Sequence, residues 1–171
     1  MKKRRQHYVW RKYLAPWTDH GKIWCHRNGE QPFQTSPVNV AVERDFYKLT
    51  ELTQSDLHFV YKVAIEPIRH PELKRMNEDW LNTFEEVFRL DKQLRRQEQL
   101  SHEIVAELDE VMHNLDEEHH TRVEHSASTH LDALINGDTN FYDDDDAASE
   151  FLYFLASQYF RTKNIRESVL R

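Results

Sequence analysis

Ala147-Ala148-Ser149-Glu150-Phe151-Leu152-Tyr153-Phe154-Leu155-Ala156-Ser157-Gln158-Tyr159-Phe160 decides how this chain folds. Only Ser149, Glu150, Ser157 and Gln158 are polar, so a helix built from it is apolar nearly all round. A helix of that kind belongs in the middle of a bundle. The pattern predicts one helix from Ala147 to about Leu170, with Gln158, Arg161, Thr162 and Arg166 sharing one flank at helical spacing. Guanidinium groups beside an apolar rod need ionic or hydrogen-bonding partners wherever they are buried.

The rest of the composition agrees with a helical protein. In 171 residues there are three glycines and five prolines, too few for the many turns of a barrel or sandwich. Glu, Leu, Arg and Gln are abundant, all good helix formers. A chain of this length buries about 70% of its unfolded surface, enough for one domain. Cys25 is the sole cysteine, which rules out an intramolecular disulfide and fits a reducing compartment. The longest apolar run is Phe151 to Ala156, far short of the roughly 20 residues of a membrane span. Basic residues Lys2 to Arg5 are not followed by the apolar stretch of a signal peptide. A soluble cytoplasmic protein with no membrane contact is expected.

Charge is unevenly placed. Residues 1–27 carry eight Lys or Arg and one acid, whereas 28–171 carry fifteen bases and twenty-nine acids. An acidic body repels nucleic acid, leaving only weak, salt-dependent contact through Lys2, Lys3, Arg4 and Arg5. Packing of the basic head on the acidic body by charge complementarity is the stronger expectation.

Along the chain, Trp10, Tyr13, Leu14 and Trp17 fall on one helical face, cut short by Pro16, and read as an anchor for the bundle. Ile23 and Cys25 alternate with Trp24 and His26, Asn28-Gly29 suits a tight turn, and residues 32–35 return as a short edge strand. That hairpin is the only β-structure expected. Ser36-Pro37 predicts a helical turn from Pro37 to Glu43. Thr53-x-x-Asp56 forms a capping box for a helix carrying Leu57, Val60, Tyr61 and Ala64. Pro71 opens a helix whose buried side holds Leu73, Met76, Trp80, Phe84, Val87 and Phe88. Leu100, Ile104, Leu108, Val111, Met112 and Leu115 continue the pattern, and the polar stretch Asp91–Gln99 fits one bent helix or two. Val123, Ala127, Leu131 and Leu134 make a further helix, stopped by Gly137. The run Asp143 to Asp146 caps the last helix; it lacks the ligand spacing of a calcium loop. The sequence thus predicts a mainly α fold: a helical bundle of about five helices with a small N-terminal β-hairpin. The anchor and hairpin occupy residues 1–47 and the bundle 48–171.

Three constellations bear on chemistry. Glu107, Glu110, His113, Glu117 and His120 step along one helix face and include two Glu-x-x-His pairs, the unit of di-iron bundles. Those bundles take such pairs from different helices. Both lie here on one, whose apolar side belongs to Leu108, Val111, Met112 and Leu115, so a solvated acidic face is expected and no metal or other cofactor. Five histidines between His113 and His130 fit either a response to mild acid or plain exposure. The third constellation is Gln158, Arg161, Thr162 and Arg166, with His7, Tyr8 and Glu124 as internal partners. It reads as a structural ion-pair cluster or as a pocket for an anion, which guanidinium grips bidentately.

His7-Tyr8-Val9-x-x-x-Tyr13-Leu14, Gly21-Lys22-Ile23-Trp24, Asn39-Val40-Ala41 and Asp45-Phe46-Tyr47 resemble the opening of the bacterial domain-of-unknown-function family 4238. Glu124 with Leu131 and Leu134, and Gln158-x-x-Arg161-Thr162-x-x-x-Arg166, are similar to its central helices. The order of these motifs carries the resemblance, chiefly in the N-terminal part. Trp10 stands where the family has Pro, and Phe59 to about His120 looks like a substituted or extended helical insert. Relatives continue beyond the Arg-Thr motif, which implies a short variant or a fragment. The resemblance singles out residues without implying a reaction.

Two readings therefore stay open. In one, a bacterial cytoplasmic protein converges His7, Tyr8, Glu124, Gln158, Thr162, Arg161 and Arg166 on a pocket for a phosphate-type anion. His7 or Glu124 would then act as base and the arginines would stabilise the anion, as in phosphodiester hydrolysis by a phage-defence-type phosphodiesterase or nuclease effector. In the other, the chain is a non-catalytic helical module that meets a protein partner or a second copy of itself, and the same residues form a structural cluster.

Overall fold

The computed structural model describes residues 1–27, 29–96 and 101–169, without the side chains of Arg166 and Val169. The fold is mainly α. Seven α-helices occur among the described residues: α1 (Arg11–Leu14), α2 (Gln54–Val60), α3 (Pro71–Arg95), α4 (His102–Ser126), α5 (Ser128–Ile135), α6 (Asp145–Phe160) and α7 (Lys163–Val169). The strands are β1 (Arg5–His7), β2 (Ile23–Cys25), β3 (Phe33–Thr35) and β4 (Val42–Arg44). The chain divides into two compact units, one of residues 1–2 and 48–115, the other of residues 3–47 and 116–171.

In the first unit, α2 opens on the expected capping box. The Thr53 hydroxyl accepts from Asp56 N at 3.2 Å, and the Asp56 carboxylate accepts from Thr53 N at 2.8 Å. The helix runs on into a π-helical turn, Tyr61–Ile65, where Glu66 N donates to Tyr61 O. Pro71 stands at the first turn of α3, as read from sequence, yet no residue of α3 is buried. Leu73 and Met76, expected on a buried side, are half exposed or more. Apolar burial in this unit falls to Leu49, Ile65, Leu108 and Met112, and Leu49 N donates to Met112 O at 2.9 Å. The polar stretch after Asp91 separates two helices, α3 and α4; its residues 97–99 lie outside the described residues. The Met1 ammonium meets Glu110, and Lys2 meets Asp109.

The second unit holds the main core. Ala127, Leu131, Phe151 and Phe154 are buried together, with Trp10, Tyr13, Val123, Leu134, Phe141 and Leu155 packed against them. Contrary to the all-round burial expected of the last helix, α6 buries one stripe, Phe151, Phe154 and Gln158. Leu152, Tyr153, Tyr159 and Phe160 are more than half exposed. Spacings of three and four residues leave those four on the other side of the cylinder. Nor is it one helix to Leu170. It stops at Arg161, where Thr162 turns its hydroxyl back onto Tyr159 O at 2.9 Å, and α7 begins afresh at Lys163. At its start the Asp144 carboxylate accepts from Ala147 N at 2.9 Å, the capping role expected of the aspartate run. Gly137, at φ +77°, ends α5 as expected.

The β2–β3 hairpin forms, pairing Ile23 with Thr35 and Cys25 with Phe33; Asn28 of its turn lies outside the described residues. A second antiparallel pair, β1 with β4, was not expected. Pro37 opens only a 3₁₀ turn to Asn39, after which the chain extends into β4. Three-residue strands give no alternation to read, and their partners lie far apart in sequence. Left-handed Ala41 (φ +50°) and Asp45 (φ +57°) bracket β4 and set it against β1. Gln6, fully buried in β1, accepts from Tyr47 N at 2.7 Å. Of the expected aromatic anchor, Trp10 and Tyr13 pack on Phe154 whereas Trp17 is 70% exposed, because the chain tightens to 3₁₀ at Ala15–Trp17. The basic head is neutralised locally. Arg4 grips Asp45, Lys3 faces Glu118, Lys12 pairs with Asp132, and Arg5 donates to Asn39 Oδ1 at 2.7 Å. Among the described residues, no helix is long and apolar enough to cross a membrane.

Candidate functional site

A cavity of about 210 Å³ opens within the second unit. One wall is a single face of α4, where Glu117, His120, Thr121 and Glu124 follow at i, i+3, i+4 and i+7. The N-terminal segment supplies His7 from the end of β1 and Trp10 and Arg11 from the start of α1. Arg161, the residue that caps the end of α6 at the break, closes it.

Arg161 is the centre of the arrangement. Its side chain is 5% exposed, and one terminal nitrogen donates both to Glu124 and, at 2.8 Å, to Gln158 Oε1. Its Nε–H is buried without a hydrogen-bond partner among the described residues. Gln158 fixes the opposite side. Its Oε1 also accepts from Trp10 N at 3.0 Å, and its Nε2 donates to Tyr8 O at 2.9 Å. One buried amide thus ties α6 to the backbone of residues 8–10 and aims the guanidinium.

His7, Glu124 and Arg161, singled out in the sequence, line one cavity despite their separation along the chain. The others behave differently. The Tyr8 ring lies 5.0 Å from the Phe46 ring, and only its carbonyl joins the network. Gln158 is a tether, Thr162 caps the end of α6, and the Arg166 side chain lies outside the described residues. Glu117, His120, Trp10, Arg11 and Thr121 were not recognised as cavity residues. The row from Glu107 to His120 is the expected solvated face only at its start: Glu107 is exposed and the Glu110 side chain 43% exposed, whereas His113 is 3% exposed and the His120 side chain 14%. Spacing held the missing signal, since residues 117, 120 and 121 share a helical face with Glu124. Among the described residues, no three His, Cys, Asp or Glu are placed to hold a metal ion.

Burial dominates the electrostatics. It pushes the Glu117 carboxyl up to about 7, with the charge of Glu124 adding to it and Lys3 and Arg161 pulling back. Burial also raises Glu124, partly offset by the charge and hydrogen bond of Arg161. His120 falls to about 3, from burial first and the Arg161 charge second. His7 is lowered by burial, with Arg11 and Arg5 contributing, and Tyr47, whose ring lies 4.9 Å from His120, is raised by burial. A neutral His7 carries its proton on Nε2, which donates to Val38 O at 3.1 Å. In His120 the buried Nδ1 has no partner among the described residues, and Nε2 lies 3.7 Å from Asp116.

These shifts link the cavity to stability with opposite signs. Glu117 keeps its proton in the native state up to about 7 but loses it near 4.5 when unfolded, so its contribution fades as pH rises across that interval. His120 resists protonation down to about 3, against 6.5 when unfolded, so its contribution fades as pH falls across that range. Between 4.5 and 6.5 the two offset each other. Glu117→Gln is therefore expected to gain stability relative to the parent as pH rises from 4.5 to 7. Urea unfolding of both proteins across that interval checks this, and a pH-independent difference would contradict it.

Fold and site together define a mainly α protein that encloses a charged, polar cavity in one of its two units. The chain belongs to the family described as Protein of unknown function (DUF4238), whose model matches residues 5–170. The matched span includes 59–120, where no family motif was legible in the sequence. No curated protein and no solved structure matches the chain.

Proposed function

We propose that this cavity binds a small phosphate-type anion through Arg161 and Arg11. The observation that carries the reading is the Arg161 Nε–H, buried without a partner among the described residues while one terminal nitrogen is anchored to Glu124 and Gln158. A buried donor left unsatisfied costs about 1–3 kcal/mol, which a ligand oxygen would offset. Guanidinium presents its donors in a planar fork that matches phosphate oxygens. Arg11 supplies a second cation, close enough to bear on both His7 and Glu124. Glu117, holding its proton to about 7, adds a donor rather than a repelling charge. Drug-sized pockets start near ~300 Å³, so about 210 Å³ suits one phosphoryl group and not a whole nucleotide. A role in defence against phage has no counterpart in this chemistry.

Calorimetric titration of the full chain with inorganic phosphate tests the reading. Arg161→Lys keeps a cation beside Glu124 but removes the Nε–H, and is expected to weaken phosphate binding about tenfold or more, the worth of a charged hydrogen bond. Absence of phosphate binding, or equal affinity in the variant, would refute it. The second reading, a structural cluster, is favoured by Gln158, whose amide is already engaged at both ends by Trp10 N, Arg161 and Tyr8 O. It predicts no phosphate binding and a fold that tolerates Arg161→Met together with Glu124→Leu.

A further inference from the structure

We infer that the cavity hydrolyses a phosphomonoester, with Glu117 protonating the leaving oxygen and His120 orienting the attacking water. This rests on the anion site proposed above. Cavity size favours a monoester, because it encloses one phosphoryl group and leaves the ester substituent at the mouth, beside exposed Arg11. Glu117 and His120 sit three residues apart on one face of α4, with Cβ atoms about 5–6 Å apart by helix geometry. Both therefore reach the same bound group.

The two side chains differ in what they offer. Glu117 is the carboxyl of the cavity not engaged by Arg161, and burial keeps its proton in place near neutrality. His120 lines the same cavity and is held neutral by burial and by Arg161. It is a positioning residue and does not have to take a proton. In a loose transition state the phosphorus–oxygen bond to the leaving group breaks first, and its electron pair goes to the leaving oxygen. That oxygen takes the Glu117 proton and departs as an alcohol. Water held in the cavity beside the neutral His120 ring adds to phosphorus, giving dihydrogen phosphate. One of its protons returns to the Glu117 carboxylate, and monohydrogen phosphate leaves. The charges facing Glu117 are Glu124, Asp116, Lys3 and Arg161.

The test compares two substrates on the full chain: phenyl phosphate, whose leaving group needs protonation, and 4-nitrophenyl phosphate, whose leaving group does not. Glu117→Gln is expected to lower kcat on phenyl phosphate about 10²-fold or more, the usual worth of a general acid, and to affect 4-nitrophenyl phosphate far less. Inhibition by inorganic phosphate should persist in the variant. In the unmutated protein, kcat for phenyl phosphate should fall as pH rises through about 7, without the same fall for the nitrophenyl ester. This second measurement stands even if the variant does not fold. Equal losses on both substrates, no loss on either, or phosphate binding without hydrolysis would overturn the inference and leave the anion site intact. Absence of phosphate binding would instead remove the anion site and this chemistry with it.

Discussion

Replacing Arg161 with alanine should destabilise the second unit by about 3–5 kcal/mol, the cost of stripping one partner from a buried ion pair. The guanidinium is 95% buried by its 5% side-chain exposure, and its partner Glu124 is 17% exposed. Alanine leaves that carboxylate facing the cavity with Arg11 as its remaining cation among the described lining residues, and removes one of the two donors to Gln158 Oε1, leaving Trp10 N. Burial already raises Glu124, so losing Arg161 would raise it further and add a dependence on pH. Glu124→Ala in the same chain should restore part of the loss, since it removes the stranded charge. Urea unfolding followed by tryptophan fluorescence measures both steps. A loss below about 1 kcal/mol, the range of exposed pairs, would show that solvent screens this one.

Phe154→Ala should cost about as much, 3–5 kcal/mol, through a cavity in the core. Phe154 is 1% exposed and lies between Trp10 at 5.6 Å, Tyr13 at 6.4 Å and Phe151 at 5.8 Å, measured between ring centroids. The consequence reaches the site without direct contact, because Trp10 lines the cavity and its amide is held by Gln158, one turn beyond Phe154. Phosphate affinity should therefore fall along with stability. Leu152→Ala, on the 55% exposed side of the same helix, is the control and should change stability by less than about 1 kcal/mol. Equal effects of the two substitutions would contradict the one-sided burial of α6.

What was legible in the sequence was local. The capping box at Thr53 and Asp56, the aspartate cap before α6 and the glycine stop after α5 are each decided within a few residues of chain. So was the helical content. The β1–β4 pair escaped because its partners lie more than thirty residues apart and neither is long enough to alternate. The extent of α6 escaped for a different reason: aromatic side chains such as Tyr153 and Tyr159 read as apolar but sit at the surface at little cost. At the site, His7, Glu124 and Arg161 were singled out because charged or imidazole groups beside apolar helices need partners. Glu117 and His120 were missed because a carboxylate-rich helix face normally meets water, whereas His7, Trp10, Arg11, Arg161 and Tyr47 stand over this one.

Whether an anion is held at the buried Arg161 Nε–H is decided by growing crystals in tungstate and locating it by anomalous scattering. A peak is expected inside the cavity, its oxyanion within hydrogen-bonding distance of Arg161 Nε and facing Arg11 and Glu117. A cavity that holds only water at saturating tungstate, with Arg161 still clasped between Glu124 and Gln158, would contradict it and leave the cluster as a structural tie.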